Sequence, residues 1–319
     1  MKNATPFRII ALAAFLAGSL VAIVRDADRV SASSAAVTLQ SGTYATRTTI
    51  PVTIDGQHAS CVLDTGSSAV LVSPQLARAA GLVGRSGSFE LAPDGHTYLD
   101  RMTTIGRLSA GSYSLRSVPA LITSTLSGNN ALCGYDFFAA FPTLIDRDHH
   151  TVTLFPPSSK LAGTRCLPVE LTPRVPVANV EINGTWLDGI VLDSGMAGGG
   201  ALWDGVRSRL RQPLVTDSNY QTLPSAIHQG MACGAVAAVR YASGTASTSM
   251  PLCTEPQKPD GYNGIIETNV STIHAMAVDY PRRRICFDIA AATPEFAAPA
   301  GASPTRSAWS RYRQLRPPE

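Results

Sequence analysis

Charge is scarce in this chain. Asp, Glu, Lys and Arg together account for 15% of 319 residues and leave a formal net charge of +3. That balance is too small to imply a nucleic-acid partner, and no basic stripe or aromatic–basic interleaving supplies one. Histidine is sparse as well. His58, His96, His149, His150, His228 and His274 form no H-E-x-x-H motif and share no metal spacing with cysteine, so neither a metal nor another cofactor is expected. A G-x-S-x-G elbow is missing, and the serines after Asp64 have no assignable histidine partner, which argues against a serine hydrolase. Long apolar runs are absent with one exception, Ile9 to Val24, preceded by Lys2 and Arg8 and followed by Arg25-Asp26-Ala27-Asp28-Arg29. Residues 9–24 read either as the core of a secretory signal or as an uncleaved membrane anchor. The two basic residues favour an amino terminus on the inner side, so the body is expected to be extracytoplasmic, periplasmic or secreted.

What the chain has in quantity is punctuation. With 26 glycines and 22 prolines it favours strands and turns over long helices, and its length suggests about two domains. The expected division is a signal or anchor over 1–36, a first lobe over 37–160, a second over 161–290, and a Pro/Ala/Arg-rich tail over 291–319. The tail has no apolar period and is expected to be disordered. Strand-like text covers 44–54, 60–72, 98–105, 118–122 and 151–155. One helix is well signalled: Ser73 as its cap, Pro74 in its first turn, Gly81 closing it. A second short helix is expected over 203–210, with Asp204 poorly placed as its cap.

The stretch C-V-L-D-T-G-S-S-A-V, from Cys61 to Val70, organises the rest because the chain repeats it. Ile190-Val191-Leu192 leads into Asp193-Ser194-Gly195, 129 positions beyond Asp64-Thr65-Gly66. Asp55-Gly56 and Asn183-Gly184, both strong hairpin turns, precede the two motifs at an offset of 128. Gly134 and Gly264 follow them beside apolar residues at an offset of 130, and Asp146 and Asp279 at 133. Four landmarks in one order at nearly constant spacing indicate a duplication. Asp146 and Asp279 read as solvated or capping carboxylates at strand ends. The run at 198–200 lacks the Gly-Lys-Ser/Thr ending of a phosphate loop and reads as a flexible linker.

In this pattern the chain resembles the two-lobed aspartic proteases built from retropepsin-like halves, over roughly residues 40–290. The resemblance implies an all-β, bilobal acid-protease fold of two duplicated barrel-like lobes. It implies an aspartic endopeptidase in which Asp64 and Asp193 meet in the cleft and share one proton, one activating a water and the other bonding the substrate carbonyl. Thr65 and Ser194 would bond the opposite lobe's backbone, and Gly66 and Gly195 would let amides approach the carboxylates. Ser67 would bond Asp64 from outside, a role that Met196 cannot fill for Asp193. Gly134 and Gly264 would be the glycines of the strand inserted beside each turn. The turn at 92–96, with Asp94, Gly95 and nearby Tyr98, falls where such a lobe carries its flap, and an ordinary surface hairpin is the alternative. The expected partner is a peptide or protein substrate and the expected state a monomer. Met196 and the glycine run favour the alternative function, a non-catalytic peptide-binding homologue.

Six cysteines in an exported chain read as disulfides. Cys233 and Cys253 flank an apparent hairpin, Cys166 opens the second lobe whose closing strand holds Cys286, and Cys61 and Cys133 remain. The last two lie beside motifs whose strands neighbour one another in the implied fold.

Overall fold

Two hairpins set up the two lobes. In the first, strand Arg47–Ile54 turns through Asp55 and Gly56 into strand Gln57–Leu63, with Ile54 opposite Gln57. Both turn residues have positive φ (45° and 86°), and so do Asn183 and Gly184 (46° and 73°) between strands Pro176–Ile182 and Thr185–Asp193. Asp/Asn-Gly tolerates that geometry at low cost, which is why the twisted two-residue turn recurs here. Each turn also clips its neighbour: Asp55 accepts amide bonds from Gly106 and Arg107, and Asn183 Oδ1 accepts one from Ala238 at 2.8 Å.

The computed structural model describes residues 30–31, 35–44, 47–85, 89–91, 97–99, 101–159, 161, 165–172, 174–196, 199–212, 215–216, 232–241, 248–255, 262–270 and 273–287. Of the segment expected as signal or anchor only residues 30–31 and 35–36 are among them, Val30–Ser31 pairing antiparallel with Leu115 and Ser114 of the first lobe, and the tail lies outside them. The described residues are mostly strand, arranged as an eight-stranded sheet in each lobe, a six-stranded sheet between them and a separate two-stranded hairpin, Phe89–Leu91 with Thr97–Leu99. Among them no helix is long and apolar enough to cross a membrane.

One arrangement occurs in both lobes and fixes the two aspartates. Strand Asn130–Cys133 lies parallel to Gln57–Leu63 and antiparallel to Val70–Val72, so it separates the two arms of the Asp64 turn. Strand Gly264–Glu267 does the same between Thr185–Asp193 and Gly200–Trp203. A chain whose arms are held apart by an inserted strand must present its turn at the sheet edge.

The register corrects one sequence pairing. Cys133 lies opposite Leu63 and Ile266 opposite Leu192, so the counterpart of Gly134 is Glu267, whereas Gly264 opposes Ile190 as Ala131 opposes Cys61. A Cβ on Gly134 would lie 2.2 Å from the carbonyl oxygen of Ala69, which explains the glycine in the first lobe. The second lobe solves the same crowding elsewhere.

The interlobe sheet centres on strands Thr143–Asp146 and Ala275–Asp279, antiparallel with Thr143 opposite Val278. Asp146 caps its turn as expected, accepting the His149 amide at 3.0 Å. Neither aspartate is solvated, however. Asp279 is fully buried and paired with Arg282 and Arg284 at 3.2 and 3.1 Å, because a carboxylate inside a sheet needs fixed donors in place of water.

The helix Pro74–Ala79 has the expected cap, Ser73 Oγ accepting the Leu76 amide, and Gly81 follows at φ 67°. The second expected helix shrinks to Asp204–Arg207, headed by Trp203 without a side-chain cap. Cys61–Cys133 and Cys166–Cys286 are disulfides. Cys253 is also disulfide-bonded, on strand Thr248–Glu255 antiparallel to Ala232–Arg240; the side chain of Cys233 lies outside the described residues. Such bonds point to an oxidising, extracytoplasmic environment.

Candidate active site

The two turns are locked to each other by their hydroxyls. Thr65 Oγ1 donates to the Leu192 carbonyl at 2.7 Å and accepts the Ser194 amide at 2.9 Å. Ser194 Oγ donates to the Leu63 carbonyl at 2.8 Å and accepts the Thr65 amide at 3.0 Å. Four reciprocal bonds between buried groups define the relative position of the lobes at this point.

Glycine then lets the carboxylates approach. A Cβ on Gly66 would sit 2.5 Å from Cγ of Asp193, and one on Gly195 would sit 2.1 Å from Cγ of Asp64. Each carboxyl therefore packs against the opposite lobe's glycine, where no side chain fits. Asp64 and Asp193 are 9% and 8% exposed and hydrogen-bonded to each other.

Their surroundings differ. Burial raises the Asp64 carboxyl well above the ordinary range, and the charge of Asp193 and the bond to it raise it further. Burial also raises Asp193, but the bond from Asp64 and the amides of Gly195 and Met196, at 2.6 and 2.9 Å from Oδ1, hold it down. Two buried acids in contact favour sharing one proton, and the upward push is the stronger at Asp64. The Arg47 guanidinium lowers both carboxyls slightly, and Oδ1 of Asp64 is buried without a hydrogen-bond partner among the described residues.

Ser67 does not play its expected part. Its hydroxyl donates to Ala69 O at 2.9 Å, bracing the turn's own exit instead of Asp64. Met196 is 1% exposed and serves Asp193 through its backbone. The glycine run is not a loose linker where it is described. The Gly199 amide donates to Glu267 Oε2 at 2.8 Å, Glu267 N donates back to Gly199 O at 2.8 Å, and Gly200 begins a buried strand. Residues 197 and 198 lie outside the described residues. The flap position holds a hairpin, Phe89–Leu91 against Thr97–Leu99 with Glu90 opposite Tyr98; its tip, with Asp94 and Gly95, lies outside the described residues.

Sequence reading missed the groups behind the dyad. Tyr280 is buried, packs on Tyr135 and Phe138, and donates from Oη to the Thr65 carbonyl at 3.1 Å. Burial raises its hydroxyl strongly, and the charges of Asp64 and Asp193 add to that. Arg147, from the first lobe, donates to the carbonyls of Thr268, Val270 and Ile273 in the second at 2.7–2.9 Å. The signal was available: Arg147 and Tyr280 each follow one of the paired aspartates Asp146 and Asp279.

A family model described as aspartyl protease matches residues 50–137, the core of the first lobe. Among solved structures, a retropepsin-like aspartic protease from Rickettsia conorii is similar at 13% identity, over 39% of this chain and 90% of that one, with a TM-score of 0.31. No curated protein matches the sequence. The family's pattern thus covers the first lobe, and the second lobe builds the same Asp-[Thr/Ser]-Gly turn again around Asp193.

Proposed function

We propose that this chain is an aspartic endopeptidase that hydrolyses peptide bonds with the Asp64/Asp193 pair. The observation that carries the reading is the mutual packing of each carboxyl on the other lobe's glycine, which brings two buried acids together. Asp193, the ionised member, takes a proton from water as that water attacks the scissile carbonyl. Asp64 donates its hydrogen bond to the carbonyl oxygen and later helps protonate the leaving nitrogen. The chemistry needs one proton on the pair. It is lost at low pH, when no base remains, and at high pH, when no acid remains.

The reading extends to a peptide or protein substrate bound by a monomer in the cleft, and to a periplasmic or secreted body, held or released through residues 9–24. The alternative is a peptide-binding homologue whose cleft is kept without catalysis. One assay separates them. Purified protein is incubated with an unfolded protein mixture across pH 3–7, with and without pepstatin, beside Asp64→Asn. Pepstatin-sensitive cleavage that Asp64→Asn lacks supports the protease; pepstatin binding without cleavage supports the homologue.

A further inference from the structure

The first lobe requires glycine where the inserted strand ends, and the second lobe carries a glutamate there. Gly134 lies against the backbone oxygens of Ser67 and Ala69, with no room for a side chain. Glu267 occupies the matching place, directly opposite Asp193 in register and 6% exposed. Its carboxylate bonds to Gly199, a glycine at φ 113° where a Cβ would lie 2.0 Å from the Pro251 carbonyl oxygen. The glycine has moved from the inserted strand to the exit of the turn.

We propose that Glu267 is a positioning residue of the second lobe: its carboxylate clasps the Gly199 amide and so holds the loop whose amides face Asp193. The clasp is two-way, Gly199 N to Oε2 and Glu267 N to Gly199 O, both 2.8 Å. Gly199 lies three positions beyond Met196, whose amide, with that of Gly195, bonds Asp193 Oδ1. Thr268, the next residue, donates from its amide to the Asp193 carbonyl at 2.8 Å. Glu267 thus ties both ends of the Asp193 turn to one strand.

Asp193 is paired with Glu267 in register on the parallel strand, Arg147 of the interlobe turn interacts with its charge, and Tyr241, at the end of Ala232–Arg240, donates its hydroxyl to the Glu267 carbonyl. Burial lowers the Arg147 guanidinium to about 10, while the Tyr241, Glu267 and Asp148 charges favour its ionised form. Arg147 reaches over from the first lobe to the three carbonyls that follow Glu267, so the clasp is anchored from the opposite lobe.

The catalytic consequence rests on the protease reading; the clasp does not, and the test separates them. Amide exchange is measured at Gly199 in the wild type, Glu267→Ala and Glu267→Gln, together with kcat and KM on an unfolded substrate over pH 3–7. In the wild type the Gly199 amide is expected to be as protected as the amides of Gly264–Glu267. Glu267→Ala is expected to speed its exchange about tenfold or more, one lost hydrogen bond being worth roughly that factor. Glu267→Gln keeps an oxygen acceptor and is expected to stay within about threefold of the wild type. Loosening the turn by about 1 Å costs roughly a hundredfold in rate, so Glu267→Ala should lower kcat by about 10–100-fold with KM little changed. Its acid limb should move to higher pH as Asp193 loses donors, and Glu267→Gln should recover most of the rate. Open-loop exchange at Gly199 in the wild type overturns the proposal even if Glu267→Ala fails to fold, and so does unchanged exchange in Glu267→Ala. A wild type that cleaves nothing but keeps Gly199 protected overturns the protease reading and leaves the clasp standing.

Discussion

The two turns that carry the aspartates are built alike up to the glycine and differently after it. Up to Gly66 and Gly195 the two turns share the same contacts with the other lobe, hydroxyl to backbone and carboxyl to glycine. After them each lobe packs on itself. The first uses a serine bracing Ala69, with Tyr135 N donating to Ser67 O at 3.0 Å above a glycine. The second uses a buried methionine, a glycine at positive φ and a glutamate. A duplicated fold keeps what must match its twin. It is free to change what only has to fill its own interior, provided the volumes trade within the lobe.

That comparison is broken most forcefully at the shared part. Asp64→Asn and Asp193→Asn should each lower kcat by roughly a thousandfold or more, since paired groups act as a unit. Steady-state rates checked against retained circular dichroism would reveal an unequal pair, and near-full activity in Asp193→Asn would exclude the second lobe from the chemistry. Next in size are the glycines between the carboxyls. Gly66→Ala and Gly195→Ala force a methyl against the partner carboxyl and should push the lobes apart, with activity lost and stability lowered by about 3 kcal/mol in urea melts.

The exits are expected to differ under the same method. Gly199→Ala meets both a backbone clash and positive φ, and should cost about 3 kcal/mol. Ala69→Gly, at the lobe-one exit, should cost only about 1 kcal/mol. Equal costs would mean that the second exit is not packed as described.

The smallest effect follows from the raised carboxyls. The fold holds a proton that the unfolded chain has already lost, so stability falls as pH rises from the ordinary aspartate range through the raised one. Asp64→Asn removes that penalty. It should melt about 2–4 °C above the wild type at pH 7, where wild-type Asp193 is charged beside a second buried acid, and no higher at pH 3. Scanning calorimetry at the two pH values checks it.

The duplication was legible because its landmarks use residues with few substitutes: Asp-Gly and Asn-Gly turns at positive φ, and the D-[TS]-G turns. The lock between Thr65 and Ser194 was implied by the family resemblance, and the structure has it. Gly264 misled because a glycine beside apolar residues looks the same wherever it lies in a strand, and only the register tells which residue touches the turn. Glu267 was invisible for the opposite reason. A buried carboxylate reads as a surface one until its partners, Gly199 and Arg147, are brought to it from 68 and 120 positions away. Ser67 was placed by analogy, and its hydroxyl found a nearer acceptor in Ala69.

The central claim is that two buried acids from two lobes hold one proton between them. Carbon-13 titration of the Asp64 and Asp193 carboxyls by NMR tests it most directly. The account predicts two separate steps, the later one well above the ordinary aspartate range, and a downward move of the Asp64 step when Asp193 is replaced by asparagine. Two independent steps in the ordinary range, unaffected by that replacement, would contradict it.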